Sequence, residues 1–124
     1  MFFKNLIFVM LGGAFGAAIR YTANHFFDSD KFPYATLLVN ITGCLLIGIF
    51  FFITEKSQYT FDLRLFLITG LLGALTTFSS YSFETFYLIR KAAYLKAGLN
   101  IFLNNSIGIL MAFLGYRLST LFFR

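Results

Sequence analysis

The chain has 124 residues, of which 59% are hydrophobic and 21% aromatic but only 12% charged. A soluble domain is about 45–50% apolar and about 25% charged, so too few polar side chains are present to cover a surface in water. The same figures exclude disorder, and a single cysteine, Cys44, excludes an internal disulfide scaffold. What remains is an integral membrane protein, with residues 1–124 forming a single four-helix membrane domain.

Charge divides the chain more sharply than any propensity. Uncharged runs cover residues 5–19, 32–54, 65–83 and 97–116. A helix crossing the hydrocarbon layer needs about 20 mainly apolar residues. The last three runs meet that directly, and the first does so by continuing past Arg20 to Phe27. The expected spans are therefore 4–27, 34–54, 65–89 and 97–122. Asp28 to Pro33 joins the first two spans, Glu55-Lys56-Ser57-Gln58 through Arg64 the next two, and Arg90 to Lys96 the last two. The first span is expected to belong to the mature structure rather than to a signal peptide, because Lys4 is a thin basic region and no convincing small-residue cleavage signature follows. Nor do the runs alternate as barrel strands do. The fold class is all-α, and helices satisfy their backbone internally as a bilayer requires.

The +5 net charge is read first as a topology signal. Lys4, Lys56, Arg64 and Arg124 fall on one membrane side, and Lys31, Arg90, Lys91 and Lys96 on the other. Four against four selects no orientation. Either both orientations insert, giving antiparallel dimers, or other signals fix one; the shortness of the chain favours the first.

Polar residues inside the spans carry the functional information. In span one, Gly12, Gly16 and Arg20 recur every four residues on one face, a spacing that lets backbones approach closely. Arg20 is either an interfacial anchor or a functional group, since intramembrane Arg costs at least about 2.5 kcal/mol. In span two, Thr36 and Asn40 share a face with Gly43 beyond them. Asn40 serves either as interhelical glue or as a pair of N–H donors suited to an anion.

Span three has six hydroxyl residues within the eight positions 76–83, preceded by Gly70 and Gly73. Gly73 and these hydroxyls permit a helix break at mid-membrane, tolerated only in protein or beside a cavity. Freed carbonyls would suit a cation and hydroxyls an anion. Glu84 lies four residues beyond Ser80, on the same face, and is a functional candidate. In span four, Asn100, Asn104 and Gly108 recur every four residues, with Asn105 and Ser106 adjacent; they form a polar wall toward span three or helix–helix glue. Cys44 and His25 stand alone and support no metal or nucleophilic chemistry.

Three segments carry a resemblance. Gly12-Gly13-Ala14-Phe15-Gly16-Ala17-Ala18-Ile19-Arg20-Tyr21 resembles the GGxxGAxxRY segment of the Fluc (CrcB-type) fluoride channels. Residues 36–43 resemble their TLxVNxxG segment, and Gly70 to Ser79 their GxxGxxTTFS segment. The resemblance spans the whole chain in the family's order. It implies an antiparallel, dual-topology homodimer in the bacterial plasma membrane, with two fluoride pores at its interface. It further implies a structural sodium ion on the two-fold axis, held by the backbone carbonyls of Gly73 and Thr76. Carried over by motif, the pore residues are Asn40, Phe78 and Ser79, followed by Ser80, Tyr81 and Glu84. Arg20, Thr36, Asn100 and Asn104 are candidates for the pore or its vestibule. The family's two phenylalanines three apart are altered here: Phe78 matches, but the second position is Tyr81. Phe83, five residues on, falls on another face.

No enzymatic reaction is implied. One alternative is a small multidrug-resistance exporter, which needs a carboxylate in its first span; none precedes Asp28. The other is a membrane assembly subunit that carries no ion and uses every polar residue as glue.

Overall fold

The computed structural model describes residues 1–56 and 60–122, so Ser57 and Gln58 of the second connection and Arg124 of the charge count lie outside the described residues. Helix α1 covers Phe2–Phe27 and α2 covers Tyr34–Lys56. Span three is made of α3, residues 60–75, and α4, Phe78–Arg90. Span four is α5, Tyr94–Phe122. The chain thus has four helical segments long and apolar enough to cross a membrane among the described residues. At 1.5 Å per residue α1 alone reaches about 39 Å, more than the roughly 30 Å hydrocarbon core.

The helices outrun the uncharged runs, and the reason is visible at their ends. Span three begins by residue 60 rather than 65, taking Asp62 and Arg64 into the helix. Lys4 Nζ pairs with Asp62 Oδ2 at 2.6 Å, which puts the start of α1 and the start of α3 at one end of the bundle. Arg64 Nε donates to Thr54 Oγ1 at 3.0 Å, and its guanidinium lies 5.5 Å from the Phe51 ring centre. Charged side chains of this kind reach the interface from inside a helix. Span four likewise starts at Tyr94 rather than 97, so the connection after α4 is only residues 91–93. Ala92 there has φ 55°, in the left-handed region, while Ala92 N–H donates to Ile89 O and Ala93 N–H to Leu88 O. That is the Schellman closure of a helix C-terminus.

Helix α1 packs along α3, and α2 packs along the second half of α5. Both contacts depend on absent side chains. A Cβ at Gly16 would overlap the Leu71 carbonyl, and one at Gly48 the Ala112 carbonyl. Ala23, Val39, Leu72 and Leu75 form the buried core where α1, α2 and α3 meet. The single chain nevertheless exposes 8308 Å², against about 6,700 Å² for a water-soluble monomer of this mass. Two stretches wind as π-helix, Leu65–Leu72 in α3 and Leu103–Ile107 in α5, a departure no feature of the sequence announces.

Candidate functional site

Span three is interrupted at Thr76–Thr77, at the start of the hydroxyl run that follows Gly73. Gly73 is ordinary helix at φ −61°, whereas Thr76 (ψ 152°) and Thr77 (φ −147°, ψ 118°) are extended. Two consecutive β-branched residues tolerate extended backbone well, and Thr77 then caps the next helix. Its Oγ1 accepts from Ser80 N–H at 3.1 Å, the bond an N-cap threonine makes. Thr77 Oγ1 also lies 3.2 Å from the hydroxyls of Ser79 and Ser80.

Asn40 closes the gap from α2. Its Oδ1 accepts from Thr77 N–H at 2.8 Å, and its Nδ2 donates to Thr77 O at 3.3 Å and to Asn104 Oδ1 at 2.8 Å. Both N–H groups are therefore engaged by protein in the single chain, as interhelical glue would have them. The network continues into α5. Asn104 Nδ2 donates to Asn100 O and Oδ1, and Asn100 Nδ2 donates to Thr85 Oγ1 at 2.9 Å. Thr85 in turn donates to Tyr81 O at 2.8 Å. Asn100 is fully buried, and a buried amide on this scale has to be satisfied.

The break also releases backbone oxygens. In an unbroken helix the N–H of residue 77 would bond the carbonyl of 73, and that of 80 the carbonyl of 76. Here Thr77 N–H goes to Asn40 and Ser80 N–H to the Thr77 hydroxyl. The carbonyls so freed include, with those of Ala74 and Leu75, the Gly73 and Thr76 carbonyls that the resemblance gives to sodium. Neutral oxygens at a helix C-terminus suit a hard monovalent cation, so the residues fit the ion.

The remaining candidates sort into two cavities. One of about 310 Å³ is lined by Asn40, Gly73, Thr76, Phe78, Tyr81 and Asn104, among others. Phe78 is 78% exposed and Tyr81 only 9%, with ring centres 5.4 Å apart. The second, about 530 Å³, is lined by Ser79, Ser80 and Glu84 together with Asp28, Asp30 and Lys91. Thr36 Oγ1 donates to Glu84 Oε1 at 2.5 Å, while Glu84 Oε2 is buried with no partner among the described residues. Ser79 follows Phe78 in the chain, so the cavities adjoin at the first turn of α4.

Arg20 does not join either group; it is half-buried and makes no hydrogen bond or ion pair among the described residues. Phe83 is exposed and stacks on Tyr87, away from Phe78. Thr85 is the participant missed from sequence, where it has no signal beyond its polarity. Thr77 enters there only as one of the hydroxyl run, although a hydroxyl three residues before Ser80 at a helix start signals an N-cap. Asn105, part of the expected polar wall toward span three, does reach it: its Nδ2 donates to Tyr81 Oη at 3.0 Å.

Four apolar helical spans, one broken over a polar network beside a cavity, define a multi-pass membrane protein of the transporter or channel class. The CrcB-like protein, Camphor Resistance (CrcB) family matches residues 7–116. Similar proteins include the fluoride-specific ion channel FluC of Shewanella loihica (strain ATCC BAA-1088 / PV-4), 44% identical over 118 residues. That match covers 93% of this chain and 95% of the relative. The proteins of the same name from Shewanella sediminis (strain HAW-EB3) and Shewanella sp. (strain ANA-3) are 43% and 42% identical over the same coverage. The chain belongs to the CrcB-like family.

Proposed function

We propose that this protein is a passive, fluoride-selective ion channel that exports fluoride from the cytoplasm, working as an antiparallel homodimer in the bacterial plasma membrane. The observation that carries the reading is the break at Thr76–Thr77, clamped by Asn40 and opening on the 310 Å³ cavity. Fluoride is small and strongly hydrated, so a selective path has to replace its water with close donors. The first turn of α4 offers unbonded N–H groups at the positive end of a helix. The Ser79 and Ser80 hydroxyls stand on that same turn. Phe78 presents a ring whose edge is positive. A succession of such sites lets an ion enter and still leave.

Dimerisation is supported by what the single chain leaves uncovered. Gly73, Phe78, Ser79 and Asn105 are exposed within spans three and four, where polar groups avoid lipid. A second copy would cover them and complete two pores. Placed on the two-fold axis of that dimer, the freed Gly73 and Thr76 carbonyls of both copies would surround a structural sodium ion. Such an ion would hold the two chains together and take no part in conduction. Asn40 and Asn104 act on the path through the backbone they hold, and Thr36 through Glu84.

The test is fluoride efflux from liposomes containing the purified protein, with chloride as control. Fluoride release with chloride retained is expected. Equal fluxes would defeat selectivity, and no flux would favour the assembly-subunit reading. A multidrug exporter would instead move cationic drugs against a proton gradient, and α1 offers no carboxylate for it.

A further inference from the structure

Asn104 and Asn105 are consecutive, yet both reach span three. Asn104 shares a hydrogen bond with Asn40 beside the break, and Asn105 donates to the Tyr81 hydroxyl. In a regular α-helix neighbours point about 100° apart; these two lie in the π-helical stretch Leu103–Ile107. Such wide turns concentrate at functional sites. Asn105 is itself fixed, because its Nδ2 also donates to Ile101 O at 2.8 Å. It is exposed in the single chain, at a depth where an amide without water or protein is costly.

We propose that Asn105 is a positioning residue that turns Tyr81 into a fixed donor in the fluoride path. The phenol oxygen accepts the Asn105 N–H, so its own hydrogen is left to be given elsewhere. The 9% of Tyr81 that remains exposed, and its contact with Phe78, place it at the 310 Å³ cavity. An acceptor at position 105 would take that hydrogen for itself; an amide N–H leaves it free for another acceptor at the cavity. Tyr81 stands where the family resemblance puts a second phenylalanine, so the Asn105–Tyr81 pair would add a hydroxyl donor to a path otherwise lined there by ring edges. This rests on the fluoride-channel reading.

The experiment is a four-way comparison of fluoride efflux from liposomes: the parent protein, Asn105→Leu, Tyr81→Phe and the double variant, each checked by gel filtration. Asn105→Leu and Tyr81→Phe are expected to slow efflux by a similar factor, roughly three- to tenfold for one lost hydrogen bond. Adding Asn105→Leu to Tyr81→Phe is then expected to change nothing further, and Asn105→Gln to restore part of the Asn105→Leu loss. Equal slowing by Asn105→Leu in both backgrounds, or none in the parent, would overturn the proposal. An independent arm incorporates 3-fluorotyrosine at position 81 and records its 19F shift in detergent. The shift is expected to move with Asn105→Leu; an unmoved shift overturns the pairing. If the parent conducts no fluoride while the shift moves, the channel reading fails and the pairing stands.

Discussion

Asn40 and Thr77 meet through two hydrogen bonds in opposite senses, the amide accepting from the Thr77 N–H and donating to its carbonyl. One side chain thereby replaces the backbone bond that the interruption costs the Thr77 N–H, and adds a second bond to a carbonyl that, at the N-cap, also accepts the first bond of α4. Asn40→Leu would leave the Thr77 N–H unsatisfied, at about 1–3 kcal/mol. The expected outcome is a lower melting temperature in detergent together with loss of fluoride efflux. Asn40→Asp keeps the acceptor but not the donors, so it is expected to fall between leucine and the parent in both measurements. Parent-like melting of Asn40→Leu would show that the break does not depend on this clamp.

Phe78 is among the most exposed large side chains of the single chain and touches Tyr81. Its ring edge, not its burial, is what the channel reading uses. Phe78→Ile is therefore expected to slow efflux strongly while the dimer persists on gel filtration. Unchanged efflux would remove the ring from the path.

The carbonyls of Gly73 and Thr76 are backbone, so no side-chain change removes them and the ion itself must be varied. Replacing sodium by N-methylglucamine is expected to lower the melting temperature. A ligand at 100 times its Kd adds about 2.7 kcal/mol. Equal melting in the two salts would count against a sodium site.

Ala92 occupies the left-handed corner that closes α4. The strain of a side chain there is about 1–2 kcal/mol, against about 0.5–1 kcal/mol of extra chain entropy for glycine. Ala92→Gly is expected to stabilise the protein by about 0.5–1 kcal/mol, a rise of a few degrees in Tm, with efflux untouched. A fall in Tm would show that the corner is set by its neighbours.

Much of this architecture was legible in the sequence. Uncharged runs located four spans because lipid tolerates few charges, and they misjudged ends because Asp62, Arg64 and Lys96 sit inside helices whose termini lie at the interface. The interruption of span three was anticipated over Gly73 and the hydroxyls beside it, and hydrogen bonding narrows it to 76–77. A glycine permits a break; Thr77 and Asn40 supply partners for one. The Thr36–Glu84 and Asn40–Asn104 pairs join residues 48 and 64 positions apart, and no local spacing encodes contacts of that range. The π-helical stretches left no mark at all, since their residues, Leu65–Leu72 above all, read as any apolar helix would.

The wide turn at Leu103–Ile107 also separates two phasing problems. Before it, Tyr94–Phe102 follows α4, where Asn100 must find Thr85; after it, Gly108–Phe122 follows α2, where Gly115 must seat against Leu45. A uniform α-helix would lock these two docking angles together, so that correcting one spoiled the other. The loosened winding works as a coupling with slip: the polar end and the glycine end of a single span are each free to settle on their own neighbour.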